Sequence, residues 1–232
     1  MEAYITYTCS DSYIPGIIAL YKSLRSSGNT KDLIVMVTED VTDEAKDLLK
    51  DYDVKFSPVE KIYYDGPGEV LSRYKNSSWK MFTKLNIWKH TDYDKLVYLD
   101  ADTLILKNID KLFEYDELAA VNGGSEGLKY FGIEGGILVI KPNIQTYNKL
   151  IEALGSGQYD IRMSDQSFLN DYFSKHAIIN HIPETYNRRW KKNRDYSSCH
   201  IFHFNADKPW IAPERIDEMC LKFWKSYYNL EL

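Results

Sequence analysis

The sequence predicts an α/β domain built on a parallel, doubly wound sheet. Two observations carry this expectation. Apolar runs of strand length alternate with segments of helical period from the first residues onward. The opening order is strand, helix, strand, helix, strand, which a parallel sheet with helices on both faces accommodates. No internal repeat or linker interrupts the 232 residues, so a single domain is expected.

The elements follow in order. YITYTC (4–9) reads as the first strand, and Asp11 or Ser12 can cap a helix running through Pro15 to Arg25. LIVMVT (33–38) is a buried strand, Thr42 starts a short helix, and VKFSPV (54–59) is a third strand. Residues 63–76 form a Gly/Pro-bearing loop. Ser77 or Ser78 caps a helix over SSWKMFTKLNIWKH, and KLVYL (95–99) returns to the sheet. LAAVN (118–122) and GGILVI (135–140) are further strands. Asn143 and Ser164 cap the next two helices, and AIINHI (177–182) and CHIFHF (199–204) are the last strands. A helix over 214–228 aligns Ile216, Met219, Cys220, Phe223, Trp224 and Tyr227. That stripe reads as core packing first and as a homodimer interface or membrane-surface contact second.

Apolar content of 44% and charged content of 27% are ordinary for a globular protein. A net charge of -5 argues against general nucleic-acid binding. The cysteines Cys9, Cys199 and Cys220 lack metal or disulfide spacing. With no signal-peptide pattern and no apolar run of about 18 residues, a cytoplasmic protein without a transmembrane segment is expected.

The chemistry gathers at KLVYLDADTLIL (95–106), where a strand-like run stops at two carboxylates. D-x-D also occurs at Asp51–Asp53 and Asp92–Asp94, but those pairs precede strands, where turn chemistry explains them. Asp100 and Asp102 follow a strand, and open α/β sheets bind ligands beyond the carboxyl ends of their strands. In extended chain both side chains share a face, which suits Mg²⁺ or Mn²⁺ as well as it suits a solvated strand end. Lys84, His203, Lys208-Pro209-Trp210 and Asp165-Gln166 stand elsewhere. Singly they read as an exposed helical lysine, a core histidine, a surface turn and an acid placed well against a helix dipole.

Taken together, these segments resemble the glycogenin-like, family 8 retaining glycosyltransferases. The resemblance runs from YITYTCSDSYIPGIIALYKSLR, through MFTKLNIWKHTDYDKLVYLDADTLILKNIDKLFE and GGILVIKPNIQTYNKL, to SDQSFLN and HIFHFNADKPW. It implies a GT-A (Rossmann-like) fold, with a mixed, mainly parallel sheet. Residues 1–110 would form the nucleotide-binding half, and 111–232 the sugar and acceptor half with the C-terminal helix. It implies a UDP-sugar donor, an unidentified glycan, protein or small-molecule acceptor, and Mn²⁺ or Mg²⁺ held by Asp100, Asp102 and His203. Thr8, Cys9, Ser10 and Tyr13 would line the base and ribose pocket. Lys208 would contact the diphosphate, and Asp100 and Ala101 would belong to the same donor-binding set. Lys84, Asp165 and Gln166 would face the donor sugar as catalytic groups.

The chain departs from the family pattern in two places. Ala206 stands where glycine is expected, with His203 and Lys208 one residue closer than usual, and Glu134-Gly135-Gly136 replaces an amide-bearing triplet. A nucleotidyltransferase acting on sugar phosphates, or a non-catalytic glycan- or nucleotide-binding relative, are the competing readings. The basic run RRWKKNR (188–194) is expected to be a solvated loop first and an acceptor-side or phosphate-side lip second.

Overall fold

The computed structural model describes residues 1–64, 70–71, 78–125, 130–189, 195–205 and 207–231. Seven strands form the main sheet: β1 (Glu2–Thr8), β2 (Leu33–Val37), β3 (Val54–Pro58), β4 (Lys95–Leu99), β6 (Ala119–Ser125), β7 (Tyr130–Ile140) and β8 (Asn180–Ile182). Their order is β3-β2-β1-β4-β7-β6-β8. β1, β2, β3 and β4 are mutually parallel, whereas β7 runs antiparallel to both β4 and β6. The sheet is therefore mixed. A smaller sheet joins β5 (Thr103–Ile105), β10 (Ile201–His203) and β9 (Arg188–Arg189).

Alternation along the strands builds two cores. Tyr4, Val35, Val97, Leu99 and Val139 face one layer, where α1 (Ile14–Ser26) and α2 (Asp43–Asp47) pack. Ile5, Ile34, Met36, Leu96, Tyr98 and Leu138 face the other. There they meet α4 (Ile144–Ser156), α5 (Asp165–His176) and the turns after α3 (Ser78–Phe82). Because both faces are covered at the centre of the sheet, β1, β2 and β4 read as nearly continuous apolar runs, whereas the edge strand β3 is largely exposed. α6 (Glu218–Tyr228) lies on α1, and its Cys220 and Trp224 close a third cluster with Leu104, Phe202 and Phe204. Among the described residues, no helix is long and apolar enough to cross a membrane.

Several local expectations need correction. Neither Asp11 nor Ser12 caps α1. Ser10 caps a 3₁₀ turn over Asp11–Tyr13 that leads into it. The Asp11 carboxylate instead accepts from the Thr42 backbone N–H and hydroxyl, both at 2.9 Å, tying two strand-to-helix turns together. The helix after residue 77 turns 3₁₀ over Thr83–Lys89, where Asn86 Nδ2 donates to the carbonyls of Thr83 and Glu60. Ser164 sits at the start of α5 with φ +56°, and its hydroxyl makes no capping bond.

α6 starts only after Asp217, whose carboxylate accepts from Met219 N and Cys220 N; Pro213–Arg215 is a separate 3₁₀ turn. Met219 faces solvent rather than the core. The strand at 177–182 shortens to Asn180–Ile182 and that at 199–204 to Ile201–His203. Arg188–Arg189, expected in a solvated loop, forms β9. Most of the 63–76 loop, Ser77 and residues 190–194 lie outside the described residues, and Ser78 is the first residue of α3.

Candidate active site

Beyond the carboxyl ends of β1 and β4 lies a cavity of about 650 Å³. Every residue singled out from the sequence lines it: Thr8, Cys9, Ser10, Tyr13, Lys84, Asp100, Ala101, Asp102, Asp165, Gln166, His203 and Lys208. The contacts place the acidic pair and Lys84 in two separate groups, and further residues form a third.

The first group surrounds the acidic pair. Asp100 and Asp102 sit in the tight connection from β4 to β5, where Asp100 N donates to Gly136 O at 2.9 Å. One ligand atom each from Asp100, Asp102 and His203 lies within 4.8 Å of the others. β10 delivers His203 by pairing antiparallel with β5, in register with Thr103. His203 Nδ1–H donates to Asn187 Oδ1 at 2.7 Å, which leaves Nε2 3.1 Å from Asp102 and 3.7 Å from Asp100. Lys208 Nζ donates to Asp102 and, at 2.7 Å, to Phe204 O. Burial alone would raise the Asp102 pKa, but His203 and Lys208 outweigh it and hold the carboxyl well below its usual range.

Two glycine-dependent approaches shape this corner. A Cβ on Gly136 would lie 2.5 Å from His203 Cε1 and 3.1 Å from Asp100 Oδ2. A Cβ on Gly16, in the first turn of α1, would lie 2.5 Å from Ala101 O and 2.6 Å from the Trp210 ring. Trp210 Nε1 donates to Ser12 O at 2.7 Å, and its ring packs edge-on against Tyr13. The Lys-Pro-Trp segment thus braces the turn that carries Ser10 and Tyr13. Burial, with Asp102 and Asp100 nearby, pushes the Tyr13 hydroxyl up to about 12.

The second group centres on Lys84, which is buried rather than exposed. Its ammonium donates to Asp165 Oδ2 at 2.7 Å and Gly135 O at 3.0 Å, lies 3.5 Å from Asp100, and sits over the Tyr98 ring. Burial works against the charged ammonium, but Asp100 and Asp165 prevail and raise its pKa. One ammonium serves two carboxylates. Burial therefore still raises the Asp165 pKa, with Lys84 opposing and Asp100 adding to the rise. Gln166 Oε1 accepts from Gly135 N at 3.2 Å, so Lys84 and Gln166 pin both polar groups of one glycine.

That glycine belongs to a break in the sheet. Ala120 pairs with Leu138 and Asn122 with Ile133, so Val121 alone stands opposite Glu134–Ile137. The excess residues leave the ladder and form one wall of the cavity, as bulges beside functional sites do.

The third group has no role assigned from the sequence, although its Glu134 and Arg189 belong to the altered triplet and the basic run singled out there. Tyr98 donates to Asp100 Oδ1, a contact foreshadowed by their two-residue spacing along the strand. Arg189 pairs with Glu134, and Asn205 accepts from Arg189 Nε at 2.6 Å. Nothing in the sequence signals that Asn187 orients His203, because the two stand 16 positions apart and only strand pairing brings them together.

Solved structures with the same architecture define the class. The galactosyltransferase LgtC, in complex with donor and acceptor sugar analogs, matches 99% of this chain and 95% of its own, at a TM-score of 0.69 and 15% identity. The glycosyltransferase GlyE of Streptococcus pneumoniae TIGR4 matches 100% of this chain and 62% of its own, at 0.70 and 19%. At such identities the likeness is one of fold, and the fold is that of GT-A glycosyltransferases.

The particular family follows from sequence. The model of glycosyl transferase family 8 matches residues 4–152, and the chain belongs to that family of glycosyltransferases. Human glycogenin-1 is 32% identical over 90% of this chain and 62% of its own length. Inositol phosphorylceramide glucuronosyltransferase 1 of Arabidopsis thaliana is 36% identical over 74% of this chain and 30% of its own length. The chain thus spans under two thirds of either relative.

Proposed function

We propose that the protein is a metal-dependent, retaining glycosyltransferase that moves a hexose, glucose or galactose, from a UDP-sugar to an acceptor hydroxyl. One observation carries this reading: the Asp100–Asp102–His203 set shares a cavity with Lys208 and with the Lys84–Asp165–Gln166 cluster. Two hard carboxylates and an imidazole whose second nitrogen is already committed fit a divalent cation, Mn²⁺ or Mg²⁺. When bound there, such an ion supplies Lewis-acid stabilisation to the diphosphate of the donor.

The chain's own groups do the rest. Thr8, Cys9, Ser10 and Tyr13 take the base and ribose, and Ala101 offers backbone to the diphosphate. Lys208 turns from Asp102 to a phosphate oxygen. As the anomeric C–O bond breaks, its electron pair passes to the terminal phosphate of UDP, and a pre-placed ammonium stabilises that charge. One unit-charge contact near 4 Å is worth about 4 kcal/mol at a protein-like dielectric. Asp165 and Gln166 face the sugar and support the positive character that develops at its anomeric carbon. The acceptor oxygen bonds to that carbon, and its proton passes to the departing diphosphate, leaving the glycoside and UDP.

Relatives bear the names of glycogenins and of glucuronosyltransferases, so the family alone leaves the donor sugar open. The test is UDP release from a panel of UDP-sugars with Mn²⁺, Mg²⁺ or EDTA. Release with at least one donor, stopped by EDTA and restored by Mn²⁺, is expected. No release and no UDP binding would end the reading, and pyrophosphate formed from a nucleoside triphosphate would replace it with a nucleotidyltransferase.

A further inference from the structure

Glu134 opens the wall segment that carries Gly135, next to the Lys84–Asp165–Gln166 cluster. Its side chain is only 14% exposed, against 47% for its ion-pair partner Arg189. It lies across Gly123, where a Cβ would come within 2.4 Å of Glu134 Cγ and Oε1. The glycine makes room for the carboxylate and fixes its place. Arg189 is Cα partner to His203 in the parallel pair of β9 and β10, so both side chains face the cavity. Its guanidinium is held by Glu134 and Asn205.

Among the described residues, the buried and half-buried cations at this end are already engaged. Lys84 serves Asp165 and Asp100, Arg189 serves Glu134, and Lys208 serves Asp102. Lys80 is exposed at the rim, where solvent screens it. A second carboxylate brought beside Glu134 must either compete for Arg189, leaving a half-buried acid unpaired, or sit against a like charge. Sugar hydroxyls meet no such conflict, because they donate to Glu134 and accept from Arg189.

We propose that Glu134, held by Arg189, makes the donor-sugar end of the cavity selective for a neutral hexose over a hexuronate. The proposal rests on the UDP-sugar reading above and adds the charge class of the sugar.

The experiment is calorimetric binding of UDP, UDP-glucose, UDP-galactose and UDP-glucuronate with Mn²⁺. The wild type is expected to bind one neutral donor about tenfold or more tighter than UDP-glucuronate. Glu134→Gln should bring that ratio to within about threefold, by freeing Arg189 for the uronate. Arg189→Met should widen it, by leaving Glu134 uncompensated. Equal or tighter wild-type binding of UDP-glucuronate, or a ratio that neither variant moves, would overturn the proposal. Failure of UDP itself to bind would sink the site reading and this inference with it. UDP binding without sugar selectivity would sink the inference alone.

Discussion

Gly136→Ala tests the acidic corner without replacing any proposed ligand. Its new methyl would lie 2.5 Å from His203 Cε1, 2.9 Å from Nδ1 and 3.1 Å from Asp100 Oδ2. To reach the ordinary 3.4 Å, the ring or the strand must give by about 0.9 Å. The ring has little freedom, because Nδ1 is tied to Asn187 at 2.7 Å and the residue is buried in a three-stranded sheet. Metal sites tolerate shifts of about 0.2 Å in ligand distance, so the proposed cation site should suffer well before the fold does. Disturbing the groups that orient ligands typically costs about 10–100-fold in metal affinity, and overpacking costs about 1–3 kcal/mol of stability. The assay is calorimetric Mn²⁺ titration in the presence of UDP, with urea unfolding alongside. Gly155→Ala is the control, since a Cβ there meets nothing within 4 Å and should be neutral or stabilising by up to about 1 kcal/mol. A Gly136→Ala protein with wild-type Mn²⁺ affinity would show that the Asp100–Asp102–His203 geometry has nothing to do with metal.

Three further outcomes are expected. Asp102→Asn should cut metal-dependent UDP release by about a hundredfold or more while circular dichroism stays native; undiminished turnover would contradict the assignment. Lys84→Met leaves the buried Asp165 and its neighbour Asp100 without their shared ammonium, at a cost of about 3–5 kcal/mol in urea unfolding. Adding Asp165→Asn should restore part of that loss, and a single variant within about 1 kcal/mol of wild type would refute the charge argument. Burial raises the Glu117 pKa, with the Trp88 indole N–H at 2.6 Å opposing the rise. An acid whose folded pKa is raised takes up a proton on folding, so its ionisation costs stability as pH rises above the ordinary 4.5. Glu117→Gln keeps an acceptor for Trp88. Its Tm relative to wild type should therefore be higher at pH 7 than at pH 4, and a pH-independent difference would count against a buried charge.

Much of the architecture could be read from periodicity. The strands at 4–9, 33–38 and 95–99 fall where expected, because a strand covered on both faces must be apolar nearly throughout, and the edge strand at 54–59 falls where expected although it is largely exposed. Thr42 and Asn143 cap as expected, because a cap is a local bond between a side chain and a nearby N–H. The 3₁₀ turn at Thr83–Lys89 was not legible, nor was β9, because non-local contacts decide both. Asn86 reaches Glu60, and Arg188–Arg189 pair with β10.

The chemical types at the site are legible in the residues alone: an acid pair at a strand end, a histidine, two lysines and an Asp-Gln step. Their positions after strands or at helix starts are properties of the chain's local order. Which of them meet, and how, comes from the packing of distant segments. It buried Lys84 between two carboxylates, fixed the imidazole of His203 with Asn187, and kinked β7 so that Gly135 and Gly136 come against the acids. It also set Glu134 against Arg189, 55 residues away. Such pairings depend on which strands become neighbours and on how closely backbones approach where a side chain is missing, and neither distance is encoded in any short stretch of residues.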